Sequence, residues 1–176
     1  MTPIERLAGI ERKRIALLGE VAMLDEAQLT VRPVPDKWSI REIVEHLVLA
    51  EDDVVGDFST LDARDAQPMG IGNHVRYVIV LFVLRFRIPV KAPSTAMLPT
   101  GGRSLAELRE TWDDHHDRLR SFVAGLTREG ASRAIFRHPI SGPLSVSQAL
   151  LMLDAHLDSH IHQVRRRLQI LRAAAP

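Results

Sequence analysis

A helix-start signature that occurs four times constrains the fold of this chain more than any other feature. In each case a Ser or Thr is followed three residues later by Glu or Gln, an arrangement that gives partners to two otherwise unpaired backbone N–H groups. Each signature precedes a long segment whose apolar residues recur every three or four positions. The four pairs are Thr2/Glu5, Ser39/Glu42, Ser104/Glu107 and Ser145/Gln148. They predict four long helices at about 3–27, 39–58, 104–127 and 145–172.

The predicted second and third helices are separated by a connection of about 45 residues, whereas loops in helical bundles typically have about 2–8. Within it, Asn73 is placed to cap a short extra helix that runs to about Arg87 and is ended by Pro89. No segment shows the alternation typical of several strands. We therefore predict an all-α protein, a four-helix bundle with a long crossover between helices 2 and 3, in one domain over 1–176.

The crossover is unusually apolar between residues 74 and 88. If this segment is helical, its apolar residues share one face. They are Val75, Val78, Ile79, Phe82, Val83 and Phe86. Such a face either packs on the bundle or forms a dimer interface, because large apolar patches are rarely left exposed.

Composition excludes several classes of partner and chemistry. The 176 residues include 23 basic and 22 acidic side chains, so that a net charge of +1 provides no general attraction for nucleic acid. The absence of cysteine excludes disulfides, thiolate metal ligands and a cysteine nucleophile. The longest uninterrupted apolar run, 77–84, is far shorter than the roughly 20 residues that cross a bilayer, and the first residues lack a signal-like apolar core. We expect a cytoplasmic protein that binds neither nucleic acid nor membranes.

Three histidines occupy inward helical positions where leucine would be expected. His156 and His160 are one turn apart on the apolar side of the fourth predicted helix, whereas His162 faces solvent. His46 lies at the margin of the apolar face of the second helix. Three imidazoles meeting in a bundle would bind one divalent metal ion and leave a coordination position open, as in catalytic zinc sites. The spacing equally allows core histidines that bond to their neighbours, and it does not decide between the two interpretations.

The remaining histidines have weaker claims to a site. His115 and His116 also point inward on the third helix. Each is a candidate metal ligand, a candidate hydrogen-bond donor to a ligand or a core residue, and we favour core residues. His74 and His138 lie at a helix start and in a loop, and the sequence assigns them no role.

Three charged residues lie near the histidines along the helices. Glu42 and Asp53 share the side of His46 and could orient its imidazole, although both are also typical of solvated helix charges. Arg167, two turns after His160, could meet an anionic substrate, but it is more simply part of a basic helix end that complements the helix dipole.

Several motifs in this order resemble the DinB-like (YfiT-like) superfamily. Residues 37–47, KWSIREIVEHL, are similar to its second-helix signature, a Trp-Ser start followed by a His-Leu pair. Residues 91–99 resemble its connection into the third helix. Residues 138–142 and 156–163 resemble its last-helix pattern, in which a spaced histidine pair is followed closely by Gln. Together the motifs extend over about residues 4–170.

The resemblance implies a four-helix bundle, often a homodimer, and a divalent metal ion, commonly zinc or nickel, on a histidine triad. The matching positions are His46, His156 and His160. Characterised relatives include metal-dependent thiol S-transferases, thiol-dependent isomerases and hydrolases. We therefore predict an enzyme that activates water or a low-molecular-weight thiol to attack a small-molecule substrate. The alternative is a non-catalytic metal- or ligand-binding bundle of a stress response.

Overall fold

A computed structural model describes residues 1–58, 68–90 and 94–174, apart from the side chains of 53–58, Arg128 and Ile135. These residues form seven α-helices, one 3-10 turn and a two-stranded antiparallel sheet. In chain order the elements are α1 (Pro3–Val21), α2 (Glu26–Thr30), α3 (Ile40–Phe58), α4 (Ile71–Arg85), the 3-10 turn (Thr95–Met97), α5 (Leu105–Ala124), α6 (Arg128–Ser132), β1 (Ala134–His138), β2 (Gly142–Ser145) and α7 (Val146–Ala174). The chain is therefore predominantly helical, as predicted.

All four predicted capping boxes are present at the starts of the long helices α1, α3, α5 and α7. The predicted helix over 3–27 is wrong at its end, because α1 stops at Val21 and a separate short helix follows. That break has a local cause, since Asp25 forms a capping box of its own with Gln28 and thereby starts α2.

The hairpin of β1 and β2 is an addition to the predicted all-α architecture. Phe136 pairs with Leu144, and His138 pairs with Gly142 across the turn. Both Phe136 and Leu144 are buried against α4 and α7. The two strands, AIFRH and GPLS, do not alternate between apolar and polar residues, so the pattern that marks a strand in a sequence is absent.

The core lies between the four long helices. α1 packs against α5 and α7, and α3 packs against the same two helices. Each fully buried large apolar side chain stabilises the fold by about 1.5–3 kcal/mol relative to its exposed state. In the core between the long helices the largest of these side chains are Trp112, Ile10, Leu17, Ile40, Ile43, Leu47, Leu108, Leu119, Leu150 and Leu157.

The predicted extra helix in the crossover is present as α4, which packs against α7. The prediction that Asn73 caps it is wrong, because α4 begins after Gly70 and no side chain caps it. Asn73 instead donates from Nδ2 to the carbonyl of Ser141 in the hairpin turn, at 3.0 Å. None of the described helices combines the length and apolarity that crossing a membrane requires.

Candidate metal centre

Two helices bring three imidazoles to one point. α3 carries His46, and α7 carries His156 and His160 one turn apart. Nε2 of His156 lies 3.2 Å from Nε2 of His46 and 3.1 Å from Nε2 of His160. One nitrogen from each ring lies within 4.8 Å of the other two. The structure thus brings together the three histidines that the sequence singles out.

The second ring nitrogen of His46 has a partner that fixes its tautomer. Nδ1 donates to the carbonyl of Met97, at 2.8 Å, and a carbonyl can only accept. In the neutral ring Nε2 is therefore unprotonated, with its lone pair available to a ligand. A hydrogen bond of this kind orients metal-binding histidines and raises their basicity.

The segment that presents the Met97 carbonyl is held by the same helix that carries His46. The buried carboxylate of Glu45 accepts from the Thr100 hydroxyl at 2.8 Å and from the Gly101 N–H at 2.7 Å. Arg41 donates to the carbonyl of Gly101 at 2.9 Å. α3 therefore supplies one imidazole of the cluster and also anchors the chain segment that orients it.

Trp38 borders the cluster on one side. Its ring centroid lies 4.6 Å from that of His46 and 6.4 Å from that of His160. Arg167 is buried and donates from Nε to the Trp38 carbonyl at 2.6 Å and from Nη1 to the Gln163 carbonyl at 3.0 Å. Arg167 is thus occupied in fixing the start of α3 against α7, rather than being one member of an exposed basic helix end.

The environment keeps the three imidazoles neutral. Burial, followed by proximity to His46 and His138, lowers the pKa of His156 to about 3. Burial likewise lowers the pKa of His46, against the Met97 hydrogen bond, and lowers that of His160 well below its usual range. A metal ion binds only the unprotonated ring, so that no proton has to be displaced at neutral pH.

The spacing of the nitrogens fits a metal ion bound between them. Zinc–nitrogen bonds of about 2.0–2.1 Å in a tetrahedral site place neighbouring nitrogens about 3.3–3.4 Å apart. The two distances from His156 Nε2, 3.1 and 3.2 Å, are close to that edge length. His46 Nε2 has no proton to donate, so only a proton on His156 Nε2 could bridge that pair, whereas a cation would use the lone pairs of all three nitrogens.

The other inward histidines lie outside this group. His115 Nε2 is 3.2 Å from Asp52, and His116 Nε2 is 3.3 Å from Glu51. Both rings are buried, as expected for the core histidines that the sequence favours. His162 is exposed, as its helical position predicts.

Of the two alternatives left open for Glu42, its part in the capping box is present, and it does not orient His46. Its carboxylate accepts from the Ser39 N–H at 2.8 Å and pairs with Arg32, and the Met97 carbonyl occupies the position at His46 Nδ1. Asp53, the other candidate, has a side chain outside the described set.

The sequence missed the groups that support the cluster. The Met97 carbonyl is a backbone atom 51 residues from His46, and a backbone acceptor has no signature in a sequence. The chain is buried on nearly all sides from Ser39 to Val48. No polar face of α3 therefore contrasts with an apolar one, and the helical pattern did not show that Glu45 points into the protein. The available signal was the position of Glu45, an acidic residue directly before the candidate ligand His46.

Comparison with known proteins identifies a family for this arrangement. The family model described as DinB superfamily matches residues 10–164. The matched range includes His46, His156 and His160 together with the hairpin and the Met97 segment. The comparisons with curated proteins and with solved structures give no match.

Proposed function

The chain belongs to the DinB superfamily, and from this we propose that it is a divalent-metal-dependent enzyme with a site formed by His46, His156 and His160. The proposed metal is zinc or nickel. The observation that carries the proposal is the convergence of three Nε2 atoms. Nε2 of His46 is unprotonated, because Nδ1 of the same ring already donates to the Met97 carbonyl. The donor set also fits, since three neutral imidazoles leave a position for a further ligand.

We propose that the site activates water or a low-molecular-weight thiol for attack on an electrophilic small molecule. A bound divalent metal would supply Lewis acidity, which lowers the pKa of a water or thiol in its open position. The chain contains no cysteine, so a thiol nucleophile has to come from a cosubstrate. Trp38 closes one side of the cluster with an apolar ring, which limits the access of bulk water there.

The test is turnover of a chromogenic nitroaryl halide by zinc- or nickel-loaded protein, with and without a small thiol. We expect product formation that requires both the metal and the thiol, and that is lost in His156→Ala. Product formed with metal but without thiol would assign the water-activating alternative. Metal-loaded protein that turns over neither thiol-dependent nor hydrolysable electrophiles would contradict the enzyme proposal and favour a binding protein.

We also propose that the four long helices form a four-helix bundle, with α4 in its crossover. The contacts of α1 and α3 with both α5 and α7 support this arrangement, because they form a closed ring of four neighbours. Bundles of this kind build metal sites from side chains on facing helices.

A homodimer through α4 is the proposed assembly. The supporting observation is an apolar stripe on the side of α4 that faces away from α7, where each side chain is about half exposed or more. The stripe comprises Val75, Val78, Ile79, Phe82 and Phe86. Removing such a surface from water contributes about 25 cal/mol per Å², and a second copy of the chain offers a matching apolar stripe.

Phe82→Asp is expected to convert the dimer into a monomer in size-exclusion chromatography with light scattering. A charge at the centre of an apolar interface costs several kcal/mol unless it is paired. Ile15→Asp is the matched control, since Ile15 on α1 is 56% exposed and Phe82 is 53% exposed. A wild-type protein with the mass of one chain would show that the α4 stripe is not a self-association surface.

A further inference from the structure

A fourth histidine lies beside the cluster on a different element. His138 ends β1 and pairs with Gly142 at the start of β2. β1 packs against both α3 and α7, the helices that carry the three clustered histidines. Phe136, two residues earlier and therefore on the same face of β1, is buried in one cluster with Met152, which lies one turn before His156 on α7.

The turn that follows His138 fixes its tautomer. Nδ1 accepts from the backbone N–H of Ile140 at 3.2 Å and from that of Ser141 at 3.1 Å. A nitrogen that accepts two N–H groups carries no proton, so the neutral ring has its proton on Nε2. Burial lowers the pKa of His138 to about 4, and protonating Nδ1 would also break both hydrogen bonds.

The hairpin holds this ring in a defined place. Asn73 of α4 donates to the Ser141 carbonyl at 3.0 Å. Gly142 has a φ of +73°, a left-handed conformation that favours glycine, and a Cβ there would collide with Asn73 Nδ2. A turn tied down in this way keeps the orientation of the His138 ring fixed, as a preorganised polar group requires.

The Nε2–H of His138 is the unused donor of the group. Both hydrogen bonds that the His138 side chain makes to other described residues use Nδ1. If the three Nε2 atoms of the cluster bind a cation, their lone pairs are in use and they accept no hydrogen bond from His138. A donor beside a metal site has its strongest partner in an anionic oxygen or sulfur bound to the metal, because charge-assisted hydrogen bonds are about twice as strong as neutral ones.

We propose that His138 donates from Nε2 to the anionic ligand in the open coordination position and so helps to bind and orient it. This inference rests on the proposed function, since it assumes that His46, His156 and His160 hold a divalent metal. The two hydrogen bonds that Nδ1 accepts suit this role, because they leave the ring proton on Nε2, where it is available to the ligand. The alternative is that His138 only stabilises the hairpin turn.

Two substitutions separate these roles. Asparagine retains an acceptor near the position of Nδ1 but lacks the distal donor, whereas glutamine retains a donor near the position of Nε2. Cobalt(II)-loaded protein is titrated with azide, and the dissociation constant is read from the visible spectrum. His138→Asn is expected to weaken azide binding about tenfold or more, as loss of a charge-assisted hydrogen bond would, while cobalt stoichiometry is unchanged. His138→Gln is expected to stay within about threefold of the wild type.

Unchanged azide affinity in a cobalt-loaded His138→Asn protein would overturn the role of His138 and leave the metal site standing. Failure of the wild type itself to bind cobalt would overturn both proposals, and metal analysis distinguishes that result. If His138→Asn does not fold, long-range ¹H–¹⁵N NMR of zinc-loaded wild type decides instead, since the proposal requires an Nε2–H tautomer whose Nε2 resonance shifts when azide binds, whereas a role in the turn alone predicts no shift. An Nδ1–H tautomer would overturn it.

Discussion

Alanine at His156 is expected to leave the protein without stoichiometric zinc or nickel. Nε2 of His156 lies between the other two, 3.2 Å from that of His46 and 3.1 Å from that of His160, so its removal leaves two nitrogens. The loss of affinity should exceed the roughly 10–100-fold that follows from removing a group that only orients a ligand. Elemental analysis of tag-free protein purified without chelator measures it.

His162→Ala is the matched control for this experiment. His162 is on the same helix, two residues from His160, and is exposed, so the substitution removes an imidazole without touching the cluster. Its metal content should equal that of the wild type. Equal losses from His156→Ala and His162→Ala would contradict the site. A wild type that remains metal-free after incubation with zinc or nickel would instead make the clustered histidines core residues.

The helix starts were predictable because their signals are local. Thr2, Ser39, Ser104 and Ser145 each satisfy backbone donors within three residues, and that chemistry is complete in a short stretch of sequence. The ends were less predictable, because α1 stops where Asp25 starts a competing helix. The hairpin was missed because it is stabilised by Phe136 and Leu144 packing against distant helices, and a short strand has no comparable local signal.

That three imidazoles face inward was predictable, and the groups around them were not. Inward imidazoles on amphipathic helices stand out in a sequence, and the i, i+4 spacing of His156 and His160 brings both to one face. That His46 meets them depends on how α3 and α7 pack, which no local pattern states. The Met97 carbonyl is 51 residues from His46, and the turn at His138 comes near α3 and α7 only because β1 packs on both helices, so their roles arise only from tertiary structure.

The inward histidines make the metal-free protein sensitive to acid. Five described histidines have a lowered pKa, with burial as the leading cause in each. They are His46, His115, His138, His156 and His160. Below about pH 6.5 the unfolded chain takes up protons that the folded chain does not, so the free energy of unfolding falls as the pH falls. These groups make their full contribution to the free energy of unfolding above about pH 6.5. The contribution of His138 is lost as the pH falls to about 4, and that of His156 is lost as it falls to about 3.

Chelator-treated protein is therefore expected to lose stability steeply between about pH 6.5 and 5, by up to about 1.4 kcal/mol per pH unit for each such histidine. This window lies above the carboxyl range near pH 4, which isolates the histidine contribution. Urea unfolding followed by circular dichroism at several pH values measures the slope. His156→Gln should make it shallower by about one proton, and His162→Gln, which removes an exposed imidazole from the same helix, is the matched control. A free energy of unfolding that stays constant across this pH window would contradict buried neutral imidazoles. In a separate measurement, zinc added to the wild type should raise the free energy of unfolding near neutral pH, because zinc binds the folded state.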